Sequence, residues 1–188
     1  MTRMTPDASA LVLIDYQGRL MPAIDRAEAV LAQAVFLADI AHELGVPVLG
    51  TEQNPRGLGP NDAAVRSRCD RTLSKMHFNA CADGLVEALN AARPGLQSVV
   101  IAGCEAHVCL LQTALGLLET GLKVWVVGEA CGSRRATDHA LGLARLQQAG
   151  AVIVSAEMVV FEWLGSCEHP RFKPVLQRLK AHDQPVRA

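Results

Sequence analysis

The sequence predicts an α/β protein, a single doubly wound, mainly parallel six-stranded sheet with helices on both faces. Three observations carry that expectation. Short apolar runs alternate with longer amphipathic stretches along the 188 residues. Four of the runs are continuously apolar rather than alternating, the pattern of parallel strands covered on both faces. Glycines stand where helices should stop: Gly45, Gly121 and Gly150 each follow an amphipathic stretch as C-cap residues.

The elements follow in order. Residues 10–14 (Ala-Leu-Val-Leu-Ile) read as the first strand, 26–44 as a helix and 46–50 as the second strand. Residues 54–61 hold paired turn formers and read as a loop, placed after the second strand where it can rim a pocket. The weakest strand signal is 72–75, followed by a helical pattern at 80–92. Residues 98–102 form a fourth apolar run before a helix at 108–120, and 123–127 a fifth before a helix at 136–149. Residues 151–154 complete the sheet. No repeat or linker interrupts the chain, so residues 1–188 read as one domain. Its tail, about 161–188, carries Phe161, Trp163, Leu164 and Phe172, which pack against a second subunit or against the chain's own core.

Composition excludes several classes of function. A net charge of −1 offers no electrostatic footprint for nucleic acid or an anionic membrane. No run approaches the ~18 apolar residues that span a bilayer, and the N-terminal residues lack the apolar core of a signal peptide. The six cysteines (Cys69, Cys81, Cys104, Cys109, Cys131, Cys167) show neither CxxC pairs nor disulfide-like spacing, which points to reduced thiols and a cytoplasmic protein. The histidines (His42, His77, His107, His139, His169, His182) form no zinc-like pair, so neither a metal nor another cofactor is expected.

Cys109 is the most informative residue. It lies where the fourth strand gives way to a helix, near the positive end of the helix dipole, a setting that favours the thiolate. It also lies at the carboxyl edge of the sheet, where open α/β folds bind their ligands. Asp15 ends the first strand and Lys75 the third. An acid, a cation and a thiol at three strand ends can converge in space, although alone each has a plain reading: a helix cap, a surface charge and a buried apolar thiol. An unperturbed thiol, with a pKa of ~8.5, stays mostly protonated at neutral pH. Asp15 can take its proton, and Lys75 can hold the resulting charge. Buried together, the three are electrically balanced either as carboxylate, ammonium and thiol or as carboxylic acid, ammonium and thiolate, and both states remain open at this stage.

The segments Leu13-Ile14-Asp15-Tyr16-Gln17, Thr51-Glu52-Gln53, Gly57-Leu58-Gly59, Lys75, Gly103 through Cys109, Gly121 through Val127 and Ala130-Cys131-Gly132-Ser133-Arg134 keep an order and spacing that resemble the isochorismatase-like cysteine hydrolases over about the first 160 residues. The branch they resemble is that of the isochorismatase domain-containing proteins. The resemblance implies a catalytic triad of Asp15, Lys75 and Cys109. It also implies a cis Cys104–Glu105 peptide and an oxyanion hole from the backbone N–H groups of Glu105 and Cys109. Substrate contacts would fall at Gln17, Thr51, Gln53, His107 and Arg134, and the assembly would be a homo-oligomer. Two departures from relatives stand out. Metal-dependent nicotinamidases carry an Asp-x-His pattern where this chain has Thr51-Glu52-Gln53, and Ala106 stands where many relatives place threonine. The implied reaction is metal-independent hydrolysis of a small amide- or imide-type C–N substrate. The alternatives are vinyl-ether hydrolysis with the aspartate as acid, or a binding protein that keeps the fold with little turnover.

Overall fold

The computed structural model describes residues 3–182. In chain order the elements are β1 (Ser9–Ile14), α1 (Ala27–Glu43), β2 (Val48–Gln53), α2 (Pro55–Leu58), α3 (Ala63–Arg66), β3 (Arg71–Lys75), α4 (Leu85–Ala92), β4 (Ser98–Gly103), α5 (Cys109–Glu119), β5 (Lys123–Val127), α6 (Ala136–Gln148), β6 (Val152–Val154), α7 (Ala156–Leu164) and α8 (Phe172–His182). The six strands form one parallel sheet in the order β3-β2-β1-β4-β5-β6. Every residue of β1, β2 and β4 is buried: the apolar runs of β1 and β4 required it, and in β2 the polar Thr51, Glu52 and Gln53 are buried as well. Helix α1 packs with α7 and α8, and α5 packs with α6.

The strand order reverses between β1 and β4, which opens a crevice at their carboxyl ends. Here the strands run close together, with Ile14 paired to Gly103. Gly103 has φ +151°, and a Cβ on it would lie 2.3 Å from the Ile14 carbonyl oxygen. Only glycine allows this approach, which places the segment after β4 directly beside the segment after β1.

Several boundaries differ from the sequence reading. β2 starts two residues later and runs on through Gln53, because Pro47 lacks an N–H and the helix ends in a left-handed glycine, Gly45. The reading of 54–61 as a loop is interrupted by a single helical turn, α2, entered through left-handed Asn54. The helix expected over 80–92 is broken by Gly84 at φ +89° into a 3-10 turn and α4. The tail divides its side chains: Trp163 and Leu164 join the core, Phe172 packs half-buried against it, and Phe161 faces outward. Among the described residues no helix is long and apolar enough to cross a membrane.

Candidate active site

Four segments meet at the carboxyl edge of the sheet. Asp15 follows β1 in the left-handed region, at φ +53°, a conformation that costs a non-glycine residue about 1–3 kcal/mol and turns its carboxylate into the crevice. Gln53 and Lys75 end β2 and β3 and are register partners. Cys109 is the first residue of α5.

The Lys75 Nζ lies 2.7 Å from Asp15 Oδ2, and neither side chain has any exposed surface. The ammonium also donates to Gln53 Oε1 at 2.6 Å and reaches the carbonyls of His77 and Phe78 at 3.5 Å. A charge removed from water thus regains acceptors on several sides, as its burial demands. Thr51 Oγ1 donates to Asp15 Oδ1 at 2.7 Å. Oδ2 faces the ammonium in a close charge contact.

Cys109 is only 7% exposed; its Sγ lies 3.9 Å from Gln53 Oε1, the oxygen that also holds the Lys75 ammonium, and the charges of Asp15 and Lys75 both act on it. Burial, reinforced by the Asp15 charge and only partly opposed by Lys75, pushes its thiol up to about 12. The helix dipole alone would have lowered it, but desolvation of a thiolate outweighs half a charge at a helix end. Burial and the Asp15 charge both favour the protonated sulfur at rest.

The remaining candidates divide by what their polar atoms touch. Gln17 is buried and clamps two strands, its Oε1 accepting from Gln53 N–H and its Nε2 donating to the carbonyls of Gln53 and Gly59. Thr51 is bonded to Asp15, and Gln53 to Lys75 and the Met76 carbonyl. The polar ends of these three side chains therefore hold other protein groups. The Glu105 carboxylate accepts from the Arg134 backbone N–H at 3.1 Å and from its Nε at 2.9 Å, tying the nucleophile turn to the 131–135 segment. The outer part of Arg134 stays in solvent, at 60% side-chain exposure. His107 lies half-buried, with Nδ1 3.0 Å from Ser133 Oγ.

The Cys104–Glu105 peptide is cis. The N–H groups of Glu105 and Cys109 have no acceptor among the described residues. One contributor escaped the sequence reading. Thr113 Oγ1 accepts from Ala80 N–H and donates to the Phe78 carbonyl, fastening the loop after Lys75 to the helix that begins with Cys109. The available signal was a polar residue one turn past Cys109 on an otherwise apolar helix face. Among the described residues no three His, Cys, Asp or Glu side chains gather as a metal-ligand set.

The Isochorismatase domain family matches residues 9–158. Isochorismatase domain-containing protein 2A of Mus musculus is 36% identical over 181 residues, covering 95% of this chain and 85% of that protein. The MAR1 ribonuclease structure from Caenorhabditis elegans superposes with a TM-score of 0.89 at 31% identity over the full length of both chains. The YcaC gene product of Escherichia coli, described as an octameric hydrolase of unknown specificity, shares the fold at a TM-score of 0.84 and 21% identity, over 96% of this chain and 98% of that one. With the family match spanning the sheet and every segment that builds the crevice, the chain belongs to the Isochorismatase domain family.

Proposed function

We propose that this protein is a metal-independent cysteine hydrolase of small amide- or imide-type substrates, with Cys109 as nucleophile, Asp15 as proton acceptor and donor, and Lys75 as the charge that holds both. One observation carries the reading: a fully buried Asp15–Lys75 ion pair faces a thiol at a helix start, with Gln53 Oε1 touching both the ammonium and the sulfur. A buried ion pair is a poor device for stability alone, and a carboxylate buried in the same crevice as a thiol is suited to proton transfer.

In this mechanism the resting thiol gives its proton to Asp15 as the sulfur attacks the substrate carbonyl carbon. The carbonyl oxygen gains charge opposite the free N–H groups of Glu105 and Cys109. Protonated Asp15 then gives the proton to the leaving nitrogen, and an amine or ammonia departs from a thioester. Water, deprotonated by Asp15, attacks the thioester carbon; the acid leaves and the thiol is restored. Net charge in the pocket stays constant until water enters. Thr51 and Gln17 serve as framework, fixing Asp15 and the end of β2.

The substrate in this reading is uncharged. Lys75 is committed to Asp15 and Gln53, and Arg134 is anchored through Nε to Glu105 with its outer N–H groups in solvent, so no buried cation is left over for a dicarboxylate. The same shortage of cations, with a net charge of −1, counts against an RNA substrate. The working unit is a homo-oligomer. Met76, Phe78, Leu141, Met158 and Phe161 expose large apolar side chains that a second copy would cover. Ammonia release from a panel of small neutral amides tests the reading. A hit abolished by Cys109→Ser supports it, and turnover that survives Cys109→Ser overturns it.

A further inference from the structure

Gln53 is held at four points. Its backbone N–H and carbonyl are both bonded to the Gln17 amide. Its Nε2 donates to the Met76 carbonyl at 2.8 Å, and its Oε1 accepts from Lys75 Nζ at 2.6 Å. The same oxygen lies 3.9 Å from Cys109 Sγ. The amide cannot turn over: a flip would set its NH2 against the ammonium and its oxygen against the Met76 carbonyl, exchanging two hydrogen bonds for two repulsions. Its oxygen is therefore directed at the ammonium and the sulfur together.

We infer that Gln53 is a positioning residue, holding the Lys75 ammonium beside Cys109 with a neutral acceptor so that the cation is available to the sulfur when its proton leaves. Neutrality is the decisive property. Buried Lys75 needs more acceptors than Asp15 alone supplies, and the carbonyls of His77 and Phe78 stand at 3.5 Å, at the limit of bonding. A second carboxylate would satisfy it but would also stand close to the sulfur and oppose the thiolate directly. An apolar side chain would leave the ammonium free to withdraw toward Asp15 and the loop carbonyls. An amide meets the first need without adding charge. Gln53 touches Lys75 and the resting thiol and acts on the reaction through Lys75.

The inference rests on the thiol reading above, and an alkylation assay separates the two. Second-order rates of iodoacetamide labelling are measured from pH 6 to 10, with the labelled cysteine identified by mass spectrometry. Gln53→Glu places an anion beside the sulfur and is expected to lower the Cys109 rate at pH 8 at least tenfold. Gln53→Met keeps the size but not the acceptor and is expected to lower it about threefold or more in the wild-type background. It should add nothing in a Lys75→Met background, because its effect runs through that ammonium. Circular dichroism checks folding, and Gln53→Asn, which keeps the amide but withdraws its oxygen, replaces any variant that fails to fold. A Gln53→Glu rate within twofold of wild type, or equal effects of Gln53→Met with and without Lys75, overturns the role of Gln53. Labelling at a different cysteine, or indifference of Cys109 labelling to Lys75→Met, overturns the thiol reading instead.

Discussion

Replacing Asp15 by asparagine should make Cys109 more reactive toward an alkylating agent while abolishing turnover. Asp15 acts on the thiol in two opposed ways: its charge keeps the proton on the sulfur at rest, and its carboxylate receives that proton during reaction. The thiol is pushed up to about 12, with burial the larger cause and Asp15 the next. A unit charge about 4 Å away contributes at most ~4 kcal/mol at an effective dielectric of ~20. Because burial outweighs it, removing the charge should lower the thiol by about one to two pH units, raising the thiolate fraction at pH 8 about ten- to a hundredfold. The asparagine carbonyl can still accept from Lys75, and the Thr51 hydroxyl can rotate to accept from the new amide, so the fold should survive. Turnover should fall by about 10² to 10⁴, the usual contribution of a positioned acid–base group. The assay pairs iodoacetamide labelling of Cys109 with turnover on any amide found active. A folded Asp15→Asn protein that labels no faster than wild type would refute the account of what holds the proton in place.

Other outcomes follow from the same structure. Cys69 and Cys81 are pushed to about 11, Cys131 to about 12, and Cys104 and Tyr16 well above their ordinary values, in each case chiefly by burial. Above about pH 9 the unfolded chain therefore releases thiol protons that the folded chain retains, so stability falls as pH rises; the melting temperature, followed under reducing conditions, should drop between pH 8.5 and 10.5, and a flat profile contradicts this. Gly103→Ala would force a Cβ to within 2.3 Å of the Ile14 carbonyl oxygen at a φ unsuited to alanine, destabilising by about 3 kcal/mol or more in urea titration; a loss under 1 kcal/mol would mean that β1 and β4 can separate there. Light scattering should give a mass several times the 20.1 kDa chain, and a monomer would remove the oligomer proposal.

What the sequence determined by itself is the layered α/β class and the strand ends that carry chemistry. Unbroken apolar runs such as residues 10–14 and 98–102 can be satisfied only between two helical layers, and that constraint is local enough to read one segment at a time. The motif spacing that resembles the isochorismatase-like hydrolases pointed to Asp15, Lys75 and Cys109 and to the cis peptide after Cys104. Only the tertiary structure decided how these residues behave. The order β3-β2-β1-β4-β5-β6, which brings Asp15 after β1 and Cys109 at the start of α5, 94 positions apart, to one crevice, depends on pairings that no single segment encodes. The acceptors around Lys75 include carbonyls from a loop and an amide from the neighbouring strand, and those from His77 and Phe78 belong to residues whose side chains say nothing of them. The helix start suggested a lowered thiol, and the structure raised it, because a dipole acts through adjacent residues whereas desolvation sums over everything packed around the sulfur.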